Sequence, residues 1–134
     1  MWRHSGAIIL YIEENRTLLH TVHDVLAFAG WYVKPCADAG MGYALIESQE
    51  RFDLLLIDLD LYGYDGLHLA RHARKQAHRR HTPLILLALA DRAEDARRAG
   101  ADAFLRKPNN LIDLVDTIRQ LLAAPTDKDS TPPA

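Results

Sequence analysis

Two hydrophobic patterns alternate along the chain, short continuous apolar runs and longer stretches with helical spacing. Apolar runs at residues 7–12, 54–57 and 84–87 predict strands that are buried on both faces, as in a parallel sheet covered by helices. Shorter runs at residues 31–33 and 103–105 predict two further strands. Four of these runs end directly in polar or turn-forming residues, and the run at 84–87 reaches Asp91 after three more apolar residues, so five short strands are expected.

Apolar residues recur at helical spacing after each predicted strand. The first helix should begin after Asn15, a favourable N-cap, and end at Gly30. Its inward residues are predicted to be Leu18, Val22, Val25, Leu26 and Ala29. The other helices are expected at residues 37–47, 67–77, 92–99 and after Asn110, which should cap the last one.

The fourth predicted helix has an unusually small apolar face. Asp91 and Glu94 have the spacing of a capping box at its start. The inward residues can only be Ala93, Ala96 and Ala99. Because three methyl groups bury little area, we expect this helix to be the loosest element.

Five strands that alternate with five helices predict an α/β fold with a doubly wound parallel sheet and helices on both faces. In the strand order 2-1-3-4-5, the first and third strands are neighbours at the point where the order reverses. Ligands bind beside the carboxyl ends of the strands at such a point. Residues that follow these two strands are therefore the first candidates for a functional site.

Length and charge narrow the class of protein. The chain has 134 residues, 49% of them hydrophobic, and a formal net charge of -2, which predicts one domain without bulk attraction to nucleic acid or membranes. The single Cys36 excludes an intramolecular disulfide, and we expect a cytoplasmic protein. The domain is predicted to cover residues 1–123, followed by a flexible polar, proline-containing tail or linker at residues 124–134.

Charged side chains follow three of the five predicted strands. Glu13 and Glu14 come after the first strand, Asp58 and Asp60 after the third, and Lys107 after the fifth. Clustered carboxylates favour a cation, and Mg²⁺ prefers one or two carboxylates together with water and phosphate oxygens. A lysine beside them suits a phosphoryl oxygen. The pattern therefore predicts a magnesium site that also receives a phosphoryl group.

In its sequence, the stretch from residue 7 to residue 122 resembles the receiver domain of bacterial two-component response regulators, which has a flavodoxin-like fold. The resemblance rests on the acidic pair Glu13-Glu14, Asp58 at the end of the third strand, Asp65-Gly66, Phe104 and Lys107-Pro108. It implies that Asp58 accepts a phosphoryl group from a sensor histidine kinase or a phosphotransfer protein, with Mg²⁺ as cofactor. Such a domain is a signalling phosphoprotein and not an enzyme, apart from self-catalysed phosphotransfer and autodephosphorylation.

The resemblance also assigns roles to the other site residues. Glu14 and Asp58 would bind the metal through their side chains, Glu13 through water, and Asp60 through its backbone carbonyl. Lys107 would contact the phosphoryl group, and its cis peptide bond to the following proline would turn it inward. The face formed by the fourth helix, fifth strand and fifth helix is a candidate homodimer surface. The downstream target, whether a separate protein or an output domain, stays open.

Three residues depart from the family pattern. Glutamates replace the usual aspartate pair at residues 13 and 14, and Tyr62 replaces a proline. Ala88 stands where a serine or threonine normally binds the phosphoryl group, and a hydrogen bond to a charged acceptor contributes roughly 1.5–3 kcal/mol. Switching through Ala88 and Phe104 should therefore be weakened or lost. The alternative is a phosphorylation-independent docking or dimerisation module.

Other motifs have simpler interpretations. The pairs His20/His23 and His68/His72 have metal-ligand spacing but lack a clustered third ligand, which favours solvated histidines. The basic stretch at residues 71–81 is interpreted as a solvated helix end and not as a nucleic-acid surface. A haloacid-dehalogenase-type phosphatase would need its aspartate pair after the first strand, and a flavin site would need glycine and hydroxyl residues in the first loop.

Overall fold

Five parallel strands form one sheet in the computed structural model, which describes residues 6–123. Numbered along the chain, the strands are β1 (Ile8–Ile12), β2 (Tyr32–Cys36), β3 (Leu54–Asp58), β4 (Asp60–Leu61), β5 (Tyr64–Asp65), β6 (Leu84–Ala88) and β7 (Ala103–Arg106). The sheet order is β2-β1-β3-β6-β7, while β4 and β5 pair separately. The predicted order 2-1-3-4-5 is therefore confirmed, with an additional small hairpin after the third strand.

The helices are α1 (Arg16–Phe28), α2 (Ala39–Glu47), α3 (Gly66–Lys75), α4 (Ala93–Arg98) and α5 (Leu114–Ala123), and a 3-10 turn (Asn109–Asp113) precedes α5. Asn15 caps α1 as predicted, because its side chain accepts a hydrogen bond from the Leu18 N–H at 3.0 Å. Asp38 caps α2 in the same way by accepting from Met41 N–H, also at 3.0 Å. Both caps fix the start of a helix at the carboxyl edge of the sheet.

Alternating strand residues divide the core into two clusters. Leu10 and Ile12 pack with residues of α2, α3 and α4 on one face of the sheet. Ile9 and Tyr11 pack with residues of α1 and α5 on the other face. Since β3 and β6 are buried along their whole length, the sheet is covered on both sides, as the apolar runs predict.

Gly66 determines how closely α3 approaches the end of β3. A Cβ atom at this position would lie 2.4 Å from the carbonyl oxygen of Asp58 and 2.6 Å from the Cα of Leu59. No side chain fits into that gap because both neighbours are backbone atoms. The glycine therefore allows the start of α3 to pack directly behind Asp58.

Several predicted inward residues are exposed. In α1, Leu19 is buried, whereas Val25 is 48% exposed. In α4, Ala96 is buried but Ala93 is exposed, and the buried Ala99 lies just beyond the end of the helix. The helix α3 ends at Lys75, two residues before the predicted end at residue 77. The helix α4 thus buries even less apolar surface than its sequence suggested.

Two predicted caps differ from the structure. At the start of α4, Asp91 Oδ1 accepts a hydrogen bond from the Ala93 N–H at 3.1 Å, but Glu94 does not complete a capping box, because its carboxylate pairs with Arg97 and Arg98 within α4. The Asn110 side chain accepts a hydrogen bond from the Arg106 N–H at 3.1 Å and does not cap α5. Arginine side chains occupy the Glu94 carboxylate, and a backbone N–H group occupies the Asn110 side-chain oxygen, so neither oxygen serves the helix start that sequence spacing assigned to it.

The basic stretch at residues 71–81 is only partly solvated, which corrects the interpretation from sequence. Arg79 is 2% exposed, and its guanidinium lies 4.8 Å from the centroid of the Phe52 ring. It donates hydrogen bonds of 2.7–3.1 Å to four carbonyl oxygens around the end of α2, those of Leu45, Ile46, Ser48 and Glu50. Arg79 therefore caps the carboxyl end of α2 from a distant loop.

Arg74 connects two loops at the same edge of the sheet. Its guanidinium donates to the carbonyl oxygen of Gly100 at 2.8 and 3.0 Å and to that of Thr82 at 2.7 Å. It also contacts the carboxylate of Asp102 at 3.1 Å. The loops that enter β6 and β7 are thereby fastened together.

No helix within residues 6–123 has the length and apolar character that crossing a membrane requires. The predicted tail at residues 124–134 lies outside the described residues.

Candidate functional site

Three predicted site residues are in direct contact at the carboxyl edge of the sheet. The Lys107 Nζ lies 3.0 Å from Asp58 Oδ2 and 3.2 Å from Glu13 Oε1. All three side chains are withdrawn from solvent, with 9% of Lys107 and 1% of each acid exposed. A single ammonium group thus neutralises part of the charge of two buried carboxylates.

The sheet topology brings these residues together. Glu13 directly follows β1 and Asp58 ends β3, and the two strands pair with Ile12 opposite Ile57. Lys107 directly follows β7, and its N–H donates to the Ala88 carbonyl oxygen at 2.8 Å. The Lys107-Pro108 peptide bond is cis, and the lysine side chain points inward, which matches the expectation from the family resemblance.

Burial and mutual repulsion shift the ionisation of the site. Burial, followed by hydrogen bonding and charge repulsion from Asp58, raises the pKa of Glu13 to about 7. Burial alone would lower the pKa of Lys107, but the hydrogen bonds and charges of Asp58 and Glu13 raise it above its ordinary value. The Lys107 side chain is therefore protonated. Unless another cation binds, the Glu13 carboxyl group is only partly ionised near neutral pH.

Backbone N–H groups hold the two buried carboxylates in place. Asp58 Oδ1 accepts from the Asp60 N–H at 3.2 Å, and Glu13 Oε2 accepts from the Asn15 N–H at 3.1 Å. Each acid therefore has one oxygen on a backbone donor and the other on Lys107. The carboxylates are oriented before any ligand binds.

Glu14 and Asp60 lie at the rim of this cluster. The half-buried Glu14 carboxylate accepts a hydrogen bond from the Tyr62 N–H in the β4–β5 hairpin. The Asp60 Oδ2 accepts from the Leu89 N–H at 2.8 Å. Neither side chain is paired with Lys107. The sequence predicts that both acids lie at this edge of the sheet, but it does not predict these hydrogen bonds.

Ala88 is fully buried and offers only a methyl group at the end of β6. The next residue, Leu89, is held on both sides, because its N–H donates to Asp60 and its carbonyl oxygen accepts from Arg106 Nη2 at 3.1 Å. Sequence analysis missed Arg106 and the side-chain role of Asp60 here. The signal that could have found Asp60 is its position two residues after the strand-ending aspartate. Phe104 is half-buried and packs against the core cluster that includes α2, α3 and α4.

The donor set fits Mg²⁺ and not a closed transition-metal site. Within residues 6–123, no three His, Cys, Asp or Glu side chains are grouped closely enough to enclose a metal ion. Magnesium needs only one or two carboxylates, with water and phosphate oxygens completing its octahedron. Asp58 and Glu14 can supply those carboxylates, and the carboxylate of Glu13 can bind through a water molecule.

The histidine pairs have other partners. His72 stacks on Tyr43 with ring centroids 3.9 Å apart, and its Nε2 lies 3.3 Å from Glu47 Oε2. His23 contacts Asp24 at 3.1 Å. These contacts, together with the absence of a ligand cluster in the described part of the chain, agree with the interpretation of these histidines as non-ligands.

The sequence model of the response regulator receiver domain matches residues 9–119. The chain is 32% identical over 118 residues to the transcriptional regulatory protein TctD of Salmonella typhimurium, and it spans 51% of that protein's length. It is 30% identical over 120 residues to the protein PilH of Pseudomonas aeruginosa, which it covers to 98%. About half the length of TctD therefore has no counterpart in the present sequence.

Solved structures share the fold. A CheY-like response regulator receiver domain protein from Methanospirillum hungatei superimposes with a TM-score of 0.79 at 33% identity, covering 88% of this chain and 94% of that one. The receiver domain of a sensor histidine kinase from Pseudomonas aeruginosa, solved with magnesium coordinated in the active site cleft, gives a TM-score of 0.80 at 26% identity, covering 90% of this chain and all of that one.

Proposed function

Because the chain belongs to the response regulator receiver domain family, we propose that it takes a phosphoryl group on Asp58 with the help of Mg²⁺ as part of a two-component phosphorelay. The observation that carries the proposal is the buried contact of Lys107 with both Asp58 and Glu13. A lysine and two carboxylates at the reversal point of the sheet combine an acceptor, a cation site and a phosphoryl contact.

Asp58 is the nucleophile of the proposed transfer. One oxygen of its carboxylate forms the new bond to phosphorus while the bond from phosphorus to the donor's imidazole nitrogen breaks, and the histidine leaves with that electron pair. The Asp60 N–H holds Asp58 Oδ1, which leaves Oδ2, now bound to Lys107, as the oxygen to attack. Lys107 can then follow the transferred group, whose oxygens attract its ammonium.

The metal would be held by the side chains of Asp58 and Glu14, through water by Glu13, and by the carbonyl of Asp60. When bound, Mg²⁺ supplies positive charge that reduces the repulsion between the carboxylates and the incoming phosphoryl oxygens. For Glu14 this requires leaving the Tyr62 N–H. The longer glutamate side chains give this pair the reach to turn toward the metal.

We further propose a phosphoryl donor, a location and a route for the signal. The phosphoryl donor is a histidine kinase or phosphotransfer protein, the location is the cytoplasm, and the domain extends to residue 123. The signal passes by protein contacts, including a homodimer through α4, β7 and α5. In this role the chain catalyses no reaction on a separate substrate.

Ala88 supports a second candidate function, a docking or dimerisation module that works without phosphorylation. With no hydroxyl at the end of β6, the chain lacks one donor to the phosphoryl group. The two functions differ in a simple respect, since only the first requires a covalent adduct at Asp58.

Intact-mass spectrometry after incubation with acetyl phosphate and Mg²⁺ tests the proposal. We expect one phosphoryl adduct on the parent chain and none on Asp58→Asn. Asp53→Asn, which alters an aspartate at the opposite edge of the sheet, serves as the control and should still form the adduct. No adduct on the parent, or an adduct that persists in Asp58→Asn, would favour the docking module.

A further inference from the structure

The Tyr11 hydroxyl is a buried polar group that the proposed function does not use. Within residues 6–123, it is the single buried side-chain nitrogen or oxygen without a hydrogen-bond partner. The Tyr11 residue is 0% exposed. Because an unpaired buried hydroxyl destabilises a fold, such a group calls for an explanation in terms of what it binds.

The strand register places Tyr11 beneath the acidic site. It lies two residues before Glu13 in the chain, so both side chains are directed to the same face of the sheet. Its partner in β3 is Leu56, which lies two residues before Asp58. The hydroxyl of a side chain as long as tyrosine can therefore reach the buried carboxylates from below.

The electrostatics of Tyr11 agree with this position. Burial, followed by the charges of Glu13 and Asp58 and by the close approach of the hydroxyl to the Glu13 side chain, raises the pKa of the Tyr11 hydroxyl well above its ordinary value. The two carboxylates are thus near enough to act on it. A tyrosine hydroxyl is a neutral hydrogen-bond donor at physiological pH.

A second donor becomes necessary when the site is loaded. In the resting chain, Lys107 serves both Asp58 and Glu13. If Lys107 turns to a phosphoryl group on Asp58, Glu13 stays buried but loses its direct contact with the ammonium group. The Asn15 N–H remains on Glu13 Oε2, while Oε1 loses the hydrogen bond from Lys107.

We propose that Tyr11 is a positioning residue whose hydroxyl donates a hydrogen bond to the Glu13 carboxylate when Lys107 moves to the phosphoryl group. The inference rests on the proposed function, because the exchange of partners occurs only when Asp58 carries a phosphoryl group or its analogue. It adds to the site a residue that the sequence presents as one more apolar position of a buried strand.

Tyr11→Phe tests the inference, since it removes the hydroxyl and keeps the packing of the ring. With Mg²⁺ present, the affinity for beryllofluoride should fall about tenfold, the loss expected when a hydrogen bond to a charged group disappears. The ¹³C resonance of the Glu13 carboxyl carbon in the loaded state should also shift relative to the parent. Tyr32→Phe, on an exposed tyrosine at the start of β2 and thus at the opposite edge of the sheet, is the control and should change neither.

A double-mutant cycle separates a hydrogen bond from a packing effect. In a Glu13→Gln background, where the charged acceptor is gone, Tyr11→Phe should have much less effect on beryllofluoride affinity. An undiminished effect there, or an unchanged affinity and Glu13 resonance in the single variant, would overturn the inference. Failure of the parent chain to bind beryllofluoride would instead overturn the proposed function itself. This failure is distinguishable from failure of the inference on Tyr11, because it appears before any substitution is made.

Discussion

Two buried cations lie at opposite edges of the sheet, and their partners differ in kind. Arg79, 2% exposed, donates to four neutral carbonyl oxygens where α2 ends. Lys107, 9% exposed, contacts the two carboxylates of Asp58 and Glu13. Carbonyl oxygens cannot be protonated at ordinary pH, whereas carboxylates bind protons and metal ions. Two similarly buried cations therefore have different consequences. Arg79 makes a pH-independent structural contact, called here the fastened edge, whereas Lys107 belongs to a cluster that can take up protons and metal ions, called here the responsive edge.

The contrast extends to the loops around each cation. At the Arg79 edge, Arg74 also joins two loops through the carbonyl oxygens of Gly100 and Thr82. At the Lys107 edge, the residue after β6, Leu89, is held by the charged side chains of Asp60 and Arg106. A new negative charge on Asp58 would act on these charged contacts and leave the Arg79 edge unchanged.

Arg79→Gln should give the largest effect. The substitution removes the guanidinium donors from the buried carbonyl oxygen of Ile46 and from three part-buried carbonyl oxygens, so the free energy of unfolding should fall by about 3 kcal/mol or more. Urea denaturation measures this loss, with the exposed neighbour Arg80→Gln as a control that should change little. Magnesium affinity of the folded variant should equal that of the parent. A decrease in the free energy of unfolding of less than about 1 kcal/mol, which a single ordinary hydrogen bond could explain, would contradict the view that Arg79 is a structural anchor of this edge.

Glu13 should make stability at the other edge depend on pH. Because burial raises its pKa to about 7, the folded chain binds its proton more tightly than the unfolded chain does. In EDTA, the free energy of unfolding should therefore rise as the pH falls from about 7 toward 5, by an amount on the order of 1 kcal/mol. Glu13→Gln should lose this slope, and Mg²⁺ should stabilise the parent more at pH above 7 than below. Equal slopes in parent and variant would assign the dependence to another group.

The two cations also differ in how well the sequence predicts them. Lys107 could be placed in the site because it follows a predicted strand whose carboxyl end lies at the same edge as Asp58. Arg79 could not, because the carbonyl oxygens it binds belong to residues 29 to 34 positions earlier and have no sequence signature. The five-stranded order followed from apolar runs and alternation, while caps such as Asn110 depended on which side chain competes for an oxygen in three dimensions.

Tyr11 and Leu89 illustrate the same limit inside the site. In the sequence, Tyr11 is one apolar residue of a buried strand, and only the fold places its hydroxyl under two carboxylates. The contact of Asp60 with Leu89 arises because the β4–β5 hairpin and the end of β6 are neighbours. The acids and the lysine were predictable from strand ends, but the hydrogen bonds between them were not.

Of the three substitutions, Ala88→Thr should give the smallest effect. It should increase the structural response of the Lys107 edge to a phosphoryl group. The added hydroxyl can bind a phosphoryl group on Asp58 and strengthen its coupling to α4, in which only Ala96 is buried. We expect larger amide shift changes in residues 92–104 on beryllofluoride binding in Ala88→Thr than in the parent. Ala90→Thr, two residues further along, is a control for an added hydroxyl. A parent response already as large would show that coupling runs through Asp60 and Leu89 instead.

Titration with Mg²⁺ and beryllofluoride, followed by ¹⁵N NMR, tests the central comparison most directly. We expect the amide resonances of Glu13, Asp58 and Lys107 to move at millimolar metal, while the Nε–H resonance of the Arg79 guanidinium stays in place. Unchanged resonances at all three site residues would contradict the magnesium and phosphoryl site, and movement of Arg79 to the same extent would contradict the division into a fastened and a responsive edge.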